Sequence, residues 1–136
     1  MASASWALQQ GVFATLTSDA PLTALLGGAR VYDDVPVRAE FPYVTFAQGA
    51  VRDWSTGSDA GSEHTLTLHV WSRASGRKET QAIIEALCTA LHDQPLGVSG
   101  HRLINLRHEL SEVRRDADGE TYHGIVRFRA VTETAG

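Results

Sequence analysis

Residues 62–73 read SEHTLTLHVWSR, and the alternation in them is strict. Leu66, Leu68 and Val70 take every second position, with Thr65, Thr67, His69, Trp71 and Arg73 between and after them. A backbone that sends successive side chains to opposite faces is a β-strand. A strand with one apolar face must lay it on a core, which leaves a second face for water or a partner. The stretch also holds two histidines, so a metal or catalytic site is the first question. His64 falls with the leucines and His69 with the threonines. That odd spacing puts the imidazoles on opposite faces, where they cannot share a metal ion.

The apolar face needs a partner, and residues 75–95, SGRKETQAIIEALCTALHDQP, supply one. Thr80, Ile83, Ile84, Leu87 and Leu91 form a stripe at helical spacing. Ser75 is the expected cap and Pro95 the expected stop. Two helices are expected upstream. Residues 5–16, capped by Ser5, place Leu8, Val12 and Leu16 in one apolar row and Trp6 and Phe13 in another. A shorter helix follows, with Asp19 as cap, Pro21 in its first turn and Gly27–Gly28 at its end. Strands are expected over residues 30–32, 43–54, 63–73, 102–115 and 120–133. The last two are joined at residues 116–119 by an Asp/Gly turn that favours a hairpin. The order α-α-β-β-β-α-β-β predicts an α+β fold: one domain over residues 1–136, with helices packed on one face of a largely antiparallel sheet. The pattern does not give the strand order.

Alternation in the last hairpin puts Ile104, Leu106 and Leu110 on one face with His108, and Asn105, Arg107, Glu109 and Ser111 on the other. Val126, Phe128 and Ala130 share a face, opposite His123, Ile125, Arg127, Arg129 and Val131. The second face of the sheet is then expected to carry His69, Trp71, Arg73, Arg107, Arg127 and Arg129. The plain reading is a solvated face; the sharper one is a contact surface, since Arg and Trp are enriched where interfaces carry binding energy. Residues 51–62 form a loop rich in Ser and Gly, with Trp54 at its base between Arg52, Asp53 and Ser55, Thr56. It is either a hairpin tip with the indole tucked onto the core, or a segment that orders against a partner.

Nothing in the sequence spells an active site. Cys88 follows Ile84 by one helical turn, as a small core residue does. His92 sits at a helix end, a common place for histidine. His108 and His123 lie out of register across the hairpin. The Asp33–Asp34 pair and the DADG stretch lack the further oxygen ligands a cation needs. LGGAR and GSDAGS lack the lysine and hydroxyl of a phosphate loop. No catalytic residue, metal or cofactor is expected; an enzyme would have to use His69, His123 or Asp33. The 12 basic and 16 acidic residues give a formal charge of −4, which opposes a nucleic-acid binder built on Arg107, Arg127 and Arg129. No apolar run approaches the ~18 residues of a membrane span, and the N-terminus lacks the charged and apolar regions of a signal peptide. The single cysteine cannot form an internal disulfide, which fits a reducing compartment.

The stretches VYDDVP, PYVTF, DWST, LTLHVWSR, ALHDQPL and DADGETYHGIVRFRA occur in this order. Together they resemble a family of small proteins encoded among the tail genes of long-tailed phages and phage-derived gene transfer agents. The resemblance runs from about the first helix to Thr132. It implies a tail terminator, also called a tail completion or head–tail joining protein. Such a protein is an α+β virion component that forms a hexameric ring on the head-proximal end of the tail tube. The ring ends tube polymerisation and meets the neck or connector, and DNA passes through its lumen without sequence-specific binding. The implied partners are further copies of the chain, the tail tube protein and neck proteins, with no membrane. The implied place is the tail–neck junction of a virion or phage-like particle assembled in the host cytoplasm. A neck or head-completion protein on the connector is the alternative. The family offers no catalytic residues to transfer. Residues 52–62 match its long hairpin, so Arg52, Asp53, Trp54, Ser55 and Thr56 join His69, Trp71, Arg73, Arg107, Arg127 and Arg129 as candidate contacts with the tube or a neighbouring subunit. A mildly negative chain also suits a DNA conduit, because a basic lumen would retain the DNA.

Overall fold

Leu8, Val12 and Leu16 recur every fourth residue and are buried on α1, Ala4–Thr17. The computed structural model describes residues 3–135; Met1, Ala2 and Gly136, at the ends of the span expected to form one domain, lie outside the described residues. The helix starts earlier than expected. Ser3, not Ser5, is the cap, its Oγ accepting from the Trp6 N–H at 3.1 Å. The second apolar row of α1 is not core: Trp6 is 48% and Phe13 43% exposed. One helix face can meet the sheet, and the Leu8 row takes it. The other row flanks a shallow cleft with Gln9, Asp33 and Phe46. The second helix, α2, Ala20–Leu26, has the expected signals: Asp19 accepts from the Leu22 N–H, Pro21 lies in the first turn, and Gly27 closes it in the left-handed region at φ 79°.

The third helix, α3, Lys78–Leu91, buries the expected stripe of Thr80, Ile83, Ile84, Leu87 and Leu91. Ser75 does not cap it. The cap position is Arg77, which has no side-chain bond to offer, and Ser72 Oγ instead donates to Glu79 in the first turn at 2.7 Å. The helix also ends before Pro95 can act. Asp93 turns left-handed at φ 55°, and its N–H leaves the helix to bond the Leu106 carbonyl at 2.8 Å.

Among the described residues six strands form one sheet: β1, Val31–Tyr32; β2, Tyr43–Phe46; β3, Ala50–Asp53; β4, Gly61–Ser72; β5, His101–Arg115; β6, Tyr122–Thr134. The order is β1-β2-β4-β6-β5, with β3 also paired to β4. Of the pairings among these strands, β1–β2 is parallel and the others are antiparallel. The element order is as expected, with one refinement: the strand expected over residues 43–54 is present as β2 and β3. Phe46 pairs with Leu68 and Ala50 with Thr65, so one extra residue lies between them, as in a β-bulge. Gly49 sits there because a Cβ would lie 2.6 Å from the Thr65 carbonyl oxygen. The β5–β6 turn is the expected one. Gly119 is left-handed at φ 75°, and Asp118 accepts from the backbone N–H of Thr121 and Glu120 and from the Thr121 hydroxyl. Those bonds, that from the Thr121 N–H foremost, lower the Asp118 pKa to about 2.

The faces of β4 are as the alternation predicts, with His64, Leu66, Leu68, Val70 and Ser72 buried toward the helices. Val126, Phe128 and Ala130 of β6 join them. On β5 the expectation fails at Ile104, Leu110 and Ser111, the last of which lies opposite Val126 on the core side. Register shifts between Leu103 and Asn105 and between His108 and Leu110 each insert one residue and reverse the alternation. Leu106 faces the core opposite Ala130 and His108 lies opposite Phe128, but Leu110 lies opposite Arg127 on the outer face. Ile104 and Leu110 are therefore 50% and 40% exposed. Among the described residues no helix is long and apolar enough to cross a membrane.

At Gly124 there is no room for a side chain between α3 and the sheet: a Cβ would meet Thr80 Cγ2 at 3.0 Å, Ile84 Cδ1 at 3.1 Å and Val70 Cβ at 3.2 Å. All three atoms belong to the packed core, so Gly124→Ala should destabilise the fold by about 1–3 kcal/mol. The expected readout is a lower urea midpoint with an unchanged slope; an unchanged midpoint would show that α3 can ride up without cost.

Candidate functional site

The outer face of the sheet carries two clusters, placed by the β4–β6 register. In that register Trp71 lies opposite His123, Thr65 opposite Arg129 and Thr67 opposite Arg127. On the other side of β4, Tyr43 lies opposite Trp71 and Thr45 opposite His69.

The first cluster is built on Trp71. Its indole N–H donates to Thr45 Oγ1 at 3.0 Å. The His123 ring stacks on it at 4.0 Å between centroids and 11° between planes. Tyr43 lies on its other side at 6.4 Å and leads to Phe41 and Tyr32. Arg73 holds its guanidinium 4.3 Å from the centre of the Phe41 ring and donates to Thr121 Oγ1 at 3.3 Å. His69 Nδ1 and His123 Nε2 are 2.7 Å apart and share one N–H, while Asp116 Oδ1 stands 3.8 Å from His123 Nδ1. Burial is the main reason both imidazoles titrate below the ordinary histidine value. The Arg114 charge adds to this for His69; at His123, His69 and Arg114 push the same way, against Asp116 and Glu112.

The second cluster is built on Glu63, which is only 8% exposed. Its carboxylate accepts from Arg52 Nε and Arg129 Nε, one on each neighbouring strand. The Arg52 bond, and after it the Arg129 bond, hold the carboxyl below its ordinary pKa against the opposing effect of burial. The Arg129 guanidinium lies 5.2 Å from the centre of the Trp54 ring. Trp54 is therefore not tucked onto the core: it is 48% exposed, against an arginine. The tip beyond it is a hydrogen-bonded turn. Ser55 Oγ donates to Asp53 at 2.6 Å and accepts from the Gly61 N–H at 3.2 Å, and the Thr56 N–H meets the Asp59 carbonyl at 2.9 Å.

Two more of the candidate arginines are paired. Arg127 meets Glu109 at 3.4 Å and Arg107 meets Asp93 at 3.3 Å. These exposed pairs are worth little in stability, but they remove the free basic patch a nucleic-acid surface needs. His64 is on the inner face, 2.9 Å from Thr132 Oγ1 and away from His69, as the odd spacing requires. Asp33 is held by Gln9 Nε2 of α1 at 2.9 Å. Among the described residues no three His, Cys, Asp or Glu side chains are placed to hold a metal ion. Alternation put His69 and His123 on one face, but their contact, and the stack on Trp71, needed the β4–β6 register. The hub role of Glu63 was missed; its signal was a carboxylate on the outer side of a strand whose other outer residues are hydroxyl, aromatic or basic.

The outer face is thus held by stacked rings and ion pairs. A family model described as "Tail completion protein gp17" matches residues 10–133. The chain belongs to that family. The tail completion protein gp17 of Bacillus phage SPP1 is 31% identical over 126 residues, which cover 93% of this chain and 92% of that protein. A solved chain from the virion of a native gene transfer agent particle has a TM-score of 0.89 and 31% identity, covering 98% of this chain and 99% of that one. The tail completion family is one of structural proteins, and membership makes the chain a component of a virion or phage-like particle.

Three histidines, His64 and His123 buried and His69 half-buried, give a pH dependence of stability. His64, like His69 and His123, is held below the ordinary value chiefly by burial. The unfolded chain takes up protons near pH ~6.5 that the folded chain resists. Their stabilising effect is complete above that pH and is lost as pH falls through the folded values. The urea midpoint should drop between about pH 7.5 and about pH 5.5, and His123→Asn should flatten the drop. A midpoint independent of pH over that window would show that the pair protonates without penalty.

Proposed function

We propose that the chain is the tail completion subunit of a long-tailed phage or gene transfer agent. Copies form a hexameric ring on the head-proximal end of the tail tube, stop its polymerisation and join it to the neck, and DNA passes through the lumen. The single observation that carries this reading is the extent of the likeness to the gene transfer agent virion chain, 98% of one and 99% of the other. A resemblance spread over the whole chain transfers a way of assembling, not a borrowed domain. A closed ring needs two different complementary surfaces on each subunit. The outer face and the β3–β4 tip are surfaces of that kind: rigid aromatic side chains, arginines with fixed partners and ordered turn backbone lose little entropy on contact. In this reading Arg52, Asp53, Trp54, Ser55 and Thr56 meet a neighbouring subunit or the tube. His69, Trp71 and Arg73, with Arg107, Arg127 and Arg129, form the broader contact face. Residues 1–136 act as one unit with no catalytic role. A formal charge of −4 lets DNA pass without being retained.

Imaging of intact particles tests this directly, with six-fold density for this chain expected between tube and neck. Density on the connector alone would replace the reading with a neck or head-completion role, and absence from the particle would end it. Deletion of the gene should leave filled heads beside tails that are unattached or overlong.

A further inference from the structure

The exposed large apolar side chains of the sheet sit at two of its edges, β3 and β5. Val51 and Trp54 are 49% and 48% exposed at β3, and Ile104 and Leu110 are 50% and 40% exposed on β5. Both edges lack a strand partner among the described residues: β3 pairs only with β4, and β5 ends the sheet on the far side. The outer edge of β5 is covered in its middle, where Asp93 N–H bonds the Leu106 carbonyl and His108 N–H bonds His92 Nδ1. Residues 109–115 continue as strand beyond that cover. An open edge with apolar residues is a template for another strand.

We propose that these edges are the two halves of one contact, with β3 of one copy pairing antiparallel to β5 of the next. The proposal rests on the ring reading above and names the surface that would close the ring. Three constraints select one register. The first is backbone direction. Trp54 N–H bonds the Gly61 carbonyl, so by ladder alternation the free backbone groups of β3 are those of Val51 and Asp53. On β5, the backbone groups of Leu106 and His108 point out of the sheet's edge; past the bulge at Glu109 those of Ser111 and Val113 do so. The second is the face. Arg52 and Trp54 lie on the outer face with Glu63 and Arg129, and Leu110 and Glu112 lie there opposite Arg127 and Ile125.

The third is charge. With Asp53 opposite Ser111 and Val51 opposite Val113, Arg52 falls opposite Glu112 and Trp54 opposite Leu110. One register thus brings together an opposite-charge pair and two half-exposed apolar side chains on the same face. Moving β3 by two residues toward Arg115 keeps the backbone pattern but sets Arg52 against Arg114. Moving it two the other way sets Trp54 against His108 and Arg52 against Leu110. The contact joins unlike edges, so it propagates head to tail around a ring, as a cyclic assembly requires and a two-fold dimer does not.

The test is a double variant, Arg52→Cys with Glu112→Cys, built into assembled particles. The two positions face each other directly in the proposed ladder, within disulfide reach. Within one chain they stand three strand spacings, about 14 Å, apart across the sheet and are further offset along the strands, too far to bridge. Mild oxidation should give a ladder of covalent multiples ending at the closed ring, while each single variant stays monomeric. A chain that remains monomeric in particles whose images show the ring would overturn the edge pairing and leave the ring reading standing. So would a link between like positions, or to a different protein. Particles without a ring of this chain would remove both. Charge reversal covers failure of the cysteine variants to assemble. Glu112→Arg should cut the particle titre by at least about tenfold, because the clash with Arg52 recurs at every contact, whereas Glu112→Asp should keep it. An unchanged titre for Glu112→Arg would also overturn the proposal.

Discussion

The unbroken antiparallel ladder between β4 and β6 sets everything else in this molecule. Twelve residue pairs run from Gly61–Glu133 to Ser72–Tyr122 without a shift in register. On one side that ladder lines up Leu66, Leu68 and Val70 with Phe128, Val126 and Gly124, so that α3 can settle where no side chain intervenes. On the other it stacks His123 on Trp71 and brings Arg129 to Glu63. A one-residue slip would exchange the two faces, and the core would have to bury arginines. The apolar face specifies the register and the outer face inherits it.

This explains the division between what could be read from the sequence and what could not. Patterns with a local cause were legible. The α3 stripe, the Asp19 and Gly27 signals of α2, the faces of β4 and the Asp/Gly turn all depend on residues within a few positions of one another. Features that need a neighbour were not. The stop of α3 at Asp93 depends on a carbonyl of β5, and the break between β2 and β3 depends on the Thr65 backbone under Gly49. The misplacement of Ile104 and Leu110 has the same origin. Period-two counting assumes an unbroken strand, and hydropathy does not mark a bulge when the residues on either side remain apolar.

The candidate contact residues divide in the same way. His69, Trp71, Arg73, Arg127 and Arg129 were placed on the outer face by alternation alone, and there they stand. Their chemistry was not legible, because it is made by partners. Arg127 and Arg129 looked like a basic stripe; each is bound to a carboxylate, and the face carries local ion pairs in place of a broad positive field. The two histidines suggested chemistry; they are a hydrogen-bonded pair, of which His123 braces a tryptophan. The family resemblance carried the functional reading because it used the order of the motifs, which survives ignorance of the contacts.

The two bulges of β5 have an evolutionary consequence. Each adds one residue to a strand whose partner does not change length, so the extra residue is taken up in a local kink and the pairing beyond it is kept. Loss of Glu109 would straighten the kink and leave Leu110 opposite Arg127 and Ser111 opposite Val126. A single-codon insertion or deletion at that point therefore changes the bend and twist of the edge in one step, while the faces beyond it and the β4–β6 ladder beneath it stay as they are.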